Sequence, residues 1–489
     1  MPTVHDVARF ARVSTATVSH VINQTKRVSP SVTARVQSAI TELNFVPNPL
    51  GRLLALQRTG PGNALGGTAG ARPVLTLSTQ QTDRLRSISG ASDETTRAML
   101  RMVRAAQPIS RADLARRLEL HRSTITEMVK PLLASGLLHE AEPEQVRARV
   151  GRPPLGLSFR EESTFFIGVN IGVRRSQVCA ALVNGEILGE ESFDTPADPE
   201  MALRLVRAGI DRLRAAFPDR TISAIGVSVP GPTNPDRTDL LFAPHLGWSN
   251  VEFAKALRIV DSTRARTEIP VVVENDATAA AMYERRRLLR SSKNGELSDF
   301  VLVRAGTGIG VGLVIGGEIY RGTGAGSGLP GEFGHMTIVA GGKPCVCGNR
   351  GCWERYASAA SAASLYAGER FHSREAGQLR FVDIVARAES GETRARMTLD
   401  RIGDYLGIGI GNIITGVGIG RIVVSGRLVF GWKFLEKSLR EAVARTMVGR
   451  LASWSVEAGE PTGSGLGGAL EVVIEQHLAS VITRSRTAA

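Results

Sequence analysis

The chain of 489 residues is short of cysteine, of long apolar runs and, over its first third, of acid. Four cysteines are too few and too unevenly placed for a disulfide framework, which points to a reducing cytoplasm. The long uncharged stretch Leu406 to Gly420 covers 15 residues and is broken by glycines. That is below the roughly 20 apolar residues of a membrane-spanning helix. No secretory leader pattern opens the chain. The expectation is a cytoplasmic protein with no membrane partner. The scarcity of acid is local. Residues 1–160 hold 22 Lys+Arg against 11 Asp+Glu, and the rest hold 38 against 36, within a formal net charge of +13. A basic head on a near-neutral body is the electrostatic footprint of nucleic-acid binding.

The cysteines that are present carry information. Cys345, Cys347 and Cys352 fall within eight residues, ten residues beyond His335, and Glu332 and Glu354 bracket the set. Thiolate and imidazole are preferred Zn²⁺ ligands, and four protein ligands close the tetrahedron, leaving no position for a catalytic water. The spacing therefore predicts a structural zinc site of His335, Cys345, Cys347 and Cys352. Cys179, in an apolar run, is expected in the core.

The length suits about three domains, and a hydrophobic content of 43% is ample for their cores. Boundaries are expected at 1–57, a helical head; 58–92, a linker rich in Gly, Ala, Ser, Thr and Gln with no aromatic residue; 93–160, a second helical head; and 161–489, the body. In the first head Ser14 is placed to cap a helix from Thr15 to Ile22, and Ser29-Pro30 opens another. In the second, Ser110-Arg-Ala-Asp113 fits a capping box. Helices are expected from Arg111 to Leu118 and from Ser123 to Ser135, followed by an arginine-rich segment (Arg147, Arg149, Arg152). Beyond Thr164, short apolar runs such as Phe165–Ile171, Ile222–Val229 and Phe300–Val303 alternate with helical stretches, predicting an α/β body.

The helix Val4–Phe10, the turn Ala11-Arg-Val13, the segment Thr15–Asn23 and the element Glu42-Leu-Asn-Phe-Val-Pro-Asn48 closely resemble the helix-turn-helix of the LacI family over about 55 residues. The resemblance implies that Thr15, Ala16 and His20 read major-groove base edges, and that Leu54 is a minor-groove wedge. Residues 95–159 look like a winged helix-turn-helix. There Arg122, Ser123 and Thr124 start the recognition helix, with the later arginines as a phosphate-holding wing.

From about Thr164 onward the chain resembles the ROK family of bacterial repressors and sugar kinases. The resemblance is carried by Gly331-Glu-Phe-Gly-His335, the Cys-x-Cys-Gly-x-x-Gly-Cys-x-Glu element, Glu274-Asn-Asp276 and Ala305-Gly-Thr-Gly-Ile-Gly310. It implies an actin-like ATPase fold of two α/β lobes. It also implies that Asn275, Asp276, Glu332, His335 and Glu354 hold sugar hydroxyls, with backbone help at Gly231, and that Asp276 is the general base if kinase activity is retained. The kinases carry Asp-x-Gly-Gly-Thr after the first strand. Here the chain reads Asn170-Ile-Gly172-Val173-Arg174, an amide where Mg²⁺ favours a carboxylate and a side chain where glycine lets the backbone approach phosphate. ATP and Mg²⁺ are therefore not expected. The expected function is a sugar-controlled transcriptional regulator, a repressor of carbohydrate genes, binding double-stranded DNA as a homodimer or higher homo-oligomer. The alternative is an ATP-dependent hexose kinase with appended DNA-binding heads.

Overall fold

The computed structural model describes residues 4–15, 17, 18, 21, 29–42, 93–141, 155–160, 164–261, 267–291, 299–322, 330–368 and 379–487. Ala16, His20, Leu54, the linker 58–92 and the arginines at 147, 149 and 152 lie outside these. The chain divides into two compact units, Met1–Thr79 and Gln80–Ala489.

In the first unit the helices Val4–Ala11 and Pro30–Glu42 close on Val7, Ala8, Ala11, Val18, Val36 and Ala39. Thr17 N donates to Ser14 Oγ at 3.1 Å, so Ser14 does the capping its position suggests. Thr15 is exposed.

The second unit opens with a three-helix head, Asp93–Ala106, Arg111–Arg117 and Arg122–Ala134. Ser110 Oγ accepts from Asp113 N at 3.0 Å, starting the second helix. The strands Leu138–Ala141 and Gly156–Phe159 pair antiparallel, with Ile109–Ser110 on the outer edge, which is winged-helix architecture. The apolar faces of the head, among them Leu100, Leu114, Ile125 and Val129, share one cluster with Phe166, Cys179, Leu470 and Ile474 of the body. The head is seated on the body through a continuous apolar core. Cys179 is fully buried there.

The body holds two five-stranded sheets of identical topology. The first runs in the order Val271–Asn275, Thr221–Val229, Thr164–Asn170, Arg175–Ala181, Ile187–Asp194. The second runs Ser455–Ala458, Arg421–Ser425, Phe300–Ala305, Ile309–Ile315, Glu318–Tyr320. In each, three parallel strands are followed by two antiparallel ones. Two helices, Asp276–Ser291 and Ser464–Thr487, pack on each other; the former also meets the second sheet and the latter the first. Among the described residues no helix is long and apolar enough to cross a membrane.

Glu475 of the last helix is paired with Arg285 and Arg101. Burial pushes its carboxyl up, but the two guanidinium groups outweigh burial and hold it at about 2, below the ordinary 4.5. A depressed folded-state value means stabilisation present above pH 4.5 and lost as pH falls toward 2, on the order of 3 kcal/mol. Urea titrations across that window should show a steep acid slope in the wild type and a shallower one in Glu475→Gln; equal slopes would contradict the assignment.

Candidate metal centre and ligand pocket

The carboxyl ends of the parallel strands are where α/β sheets place ligands, and the singled-out residues gather there. Gly331, at φ 116°, opens a 3₁₀ turn over Glu332–His335. A Cβ at this position would lie 2.3 Å from the Val311 carbonyl, so only glycine lets the turn sit against the strand Ile309–Ile315. The following loop folds back on itself: Cys345 N donates to Asn349 O at 2.9 Å and Gly348 N to Cys345 O at 3.1 Å. Gly351, at φ 78°, approaches the Val339 carbonyl more closely than any side chain would allow.

These turns bring the ligand atoms of His335, Cys345, Cys347 and Cys352 within 4.8 Å of one another. Cys347 Sγ and Cys352 Sγ are 3.7 Å apart, and Cys345 Sγ is 3.6 Å from His335 Nδ1. A tetrahedral Zn²⁺ with Zn–S of about 2.3 Å and Zn–N of about 2.05 Å requires edges of roughly 3.8 Å between sulfurs and 3.5 Å between sulfur and nitrogen. The donor set can therefore hold such an ion. Burial raises the Cys345 and Cys352 thiols above their ordinary range, and a divalent cation is what holds buried sulfurs as thiolates.

Nδ1 of His335 is on the cysteine side, and its Nε2 lies 3.7 Å from Glu332 Oε2. Burial, then the charges of Asp276 and Glu354, push the Glu332 carboxyl up to about 7. Asp276, Glu332 and Glu354 thus lie close enough to act on one another's charge. For Glu354 burial acts upward but is outweighed by the hydrogen bond and charge of His245, and the net direction is down. Glu354 Oε1 accepts from Cys345 Sγ at 3.3 Å, and Oε2 lies 3.2 Å from His245 Nε2. One carboxylate therefore ties the cysteine loop to the pocket wall.

Asn275 is committed to structure as well as to the pocket. Its Oδ1 accepts from Ala277 N and Thr278 N at 2.9 and 3.1 Å, capping the helix Asp276–Ser291. Its Nδ2 donates to the Gly231 carbonyl at 3.2 Å, leaving one N–H for a ligand. Asp276 follows at the helix start, with Arg304 Nε 3.3 Å from its Oδ2.

His245 and Arg304 are pocket residues that sequence reasoning missed. Arg304 had a signal, since it directly precedes the Ala305–Gly310 motif; His245 had none, lying 109 residues from Glu354. The glycines of that motif also serve the pocket. A Cβ on Gly308 would lie 2.5 Å from Glu354 Oε2 and 2.8 Å from His245 Nε2, and one on Gly310 would lie 2.7 Å from the Ala277 Cβ. At the first-strand loop, Asn170 Nδ2 donates to Gln177 Oε1 at 3.2 Å. A Cβ on Gly465, in the helix Ser464–Thr487, would come within 2.8 Å of the Asn170 amide oxygen. Arg122 and Ser123 are exposed at the start of the helix Arg122–Ala134, and Thr124 is half-buried.

Three family models match successive parts of the chain. The model of the ROK family matches residues 166–476, that of the bacterial regulatory proteins of the lacI family residues 3–48, and that of a winged helix-turn-helix DNA-binding segment residues 92–138. The xylose repressor of Bacillus subtilis is 28% identical over 359 residues, 73% of this chain and 88% of that protein. A ROK family transcriptional regulator homologous to the Escherichia coli MLC protein superposes with a TM-score of 0.62 at 23% identity, covering 81% of this chain and 99% of that one. A ROK family glucokinase from Streptomyces griseus, solved with glucose and AMPPNP, superposes with a TM-score of 0.51 at 25% identity, covering 63% and 98%.

Proposed function

Since this chain belongs to the ROK family, we propose that it is a DNA-binding transcriptional repressor of carbohydrate genes, controlled by a sugar or sugar derivative held in the pocket of Asn275, Asp276, Glu332, His335 and Glu354. The observation that carries this reading is a DNA-binding head whose core is continuous with that of the ligand-binding body. Hydroxyl groups both donate and accept, and a cleft of three carboxylates, an amide and two imidazoles suits them. Zn²⁺ on His335 Nδ1 orients the imidazole so that Nε2 faces the ligand. The relative named a xylose repressor supports a sugar as effector.

The heads bind double-stranded DNA through Arg122, Ser123 and Thr124 and through Thr15, Ala16 and His20. A homodimer would place paired heads on paired half-sites, in a bacterial cytoplasm. A sugar shifts DNA affinity only by its differential affinity for two lobe arrangements. Selection of bound fragments from a genomic DNA pool, with and without sugars, tests this: promoters of sugar genes should be enriched and the enrichment should change with one sugar. On the selected DNA Arg122→Ala should weaken binding by roughly 5- to 150-fold; unchanged binding would remove Arg122 from the interface.

Kinase activity is the second reading, favoured by Asp276, which sits in the cleft at 24% side-chain exposure. The Asn170 amide stands against it. Sugar-dependent ATP turnover that disappears in Asp276→Asn would establish the enzyme.

A further inference from the structure

Two arginines three residues apart on the first helix of the winged head reach different lobes. Arg101 Nη2 donates to Glu318 Oε2 at 2.9 Å, and Arg104 Nε donates to the Val183 carbonyl at 2.7 Å. Glu318 follows the turn between Ile309–Ile315 and Glu318–Tyr320 in the second sheet. Val183 lies in the turn between Arg175–Ala181 and Ile187–Asp194 in the first. Because the two sheets share one topology, these are equivalent hairpins of the two lobes.

Each arginine is doubled by another from the helix Asp276–Ser291. Arg285 Nη1 donates to the Gly317 carbonyl at 3.1 Å, beside Glu318, and Arg286 Nη2 donates to the Asn184 carbonyl at 2.5 Å, beside Val183. The C-terminal helix ties each pair together. Glu475 bridges Arg101 and Arg285, and Glu471, four residues earlier, bridges Arg104 and Arg286. The result is two parallel clamps, one per lobe, joined through the same three helices.

A mere anchor would need only one attachment. Each clamp grips its hairpin at two points, through backbone carbonyls at Val183 and Asn184 in one lobe and through Gly317 O and the Glu318 carboxylate in the other, so each clamp travels with its own hairpin. A change in the angle between the lobes then moves Arg101 relative to Arg104, and the helix that carries both has to turn. That helix shares one apolar core with the rest of the winged head, Ile125 and Val129 included, so the motion reaches the helix Arg122–Ala134.

We propose that Arg101 with Glu318 and Arg104 with Val183 are positioning links that convert displacement between the lobes into reorientation of the winged head. The proposal rests on sugar control of DNA affinity as set out above. Glu318 is the place to test it, because its side chain is 48% exposed and its loss leaves the buried arginines paired with Glu475 and Glu471.

The experiment measures DNA affinity of the full chain on its selected DNA, with and without D-xylose, D-glucose or N-acetyl-D-glucosamine, for wild type, Glu318→Gln and Arg101→Gln, with sugar affinity measured alongside. A wild-type response of roughly 5-fold or more should fall below about 2-fold in both variants. Sugar affinity and sugar-free DNA affinity should stay within about 3-fold of wild type, as expected of links that act only on the coupling. A wild-type response preserved in the variants overturns the links and leaves sugar control standing, and so does general weakening with the ratio intact. A wild type whose DNA affinity ignores every sugar overturns both.

Discussion

Cys352→Ser should lose the bound metal and, with it, at least about 10-fold in sugar affinity, the scale expected when a single charge-assisted hydrogen bond worth about 1.5–3 kcal/mol is lost. Serine keeps the size but not the soft thiolate, and Cys352 is fully buried with its sulfur 3.7 Å from that of Cys347. Without the ion nothing compensates the crowded donors, and apparent binding energies of structural zinc are folding energies, about 10 kcal/mol or more in small domains. The loop would open, and the sugar side would follow because Cys345 Sγ lies 3.3 Å from Glu354 Oε1 and His335 turns Nδ1 toward the cysteines and Nε2 toward Glu332. Elemental analysis and calorimetric sugar titration measure both effects. Chelation of the wild type should reproduce them, and added Zn²⁺ should reverse them. Cys179→Ser is the control: it lies in the core beneath the head, so it should lower stability and leave metal content unchanged. Full metal and full sugar affinity in Cys352→Ser would refute the four-ligand assignment.

Gly409→Ala should destabilise the body and weaken sugar binding, although alanine is the better helix former. Gly409 lies inside the helix Thr393–Val417, and a Cβ there would fall 2.0 Å from Cε2 of Trp353. Trp353 is fully buried and its Nε1 donates to the Tyr405 carbonyl at 2.9 Å, so the indole has nowhere to go. Helix propensity favours alanine by about 1 kcal/mol, whereas overpacking a well-filled core costs about 1–3 kcal/mol, and a contact this close belongs at the upper end. Trp353 sits between Cys352 and Glu354, so its displacement moves a proposed metal ligand and a proposed sugar ligand together. Thermal unfolding with sugar titration reads both. A raised melting temperature with normal sugar affinity would show that helix propensity wins.

The run from Leu406 to Gly420 illustrates how far composition reaches. Its glycines argue against a membrane span, and they are there for packing: Gly407 and Gly409 let the helix lie against Leu439 and Trp353. Nothing in the spacing says which surface they meet. The Ala305–Gly310 motif enters the sequence only as part of a family resemblance, and in the structure its Gly308 makes room for Glu354 and His245. A glycine records that something comes close, never what.

By itself the sequence determined the features built from neighbours along the chain. The four candidate metal donors lie within 18 residues, the caps at Ser14 and Ser110 act three residues away, and the basic head is a matter of counting; donor spacing, capping and net charge are local. Tertiary structure alone decided the contacts across long separations. It set His245 against Glu354 and Arg304 against Asp276, and it brought Arg101 to Glu318 across 217 residues. Those pairings exist only once two sheets of equal topology close around a pair of helices. The chain carries no local periodicity that encodes that closure, because the repeated unit is an order of strands and not an order of residues.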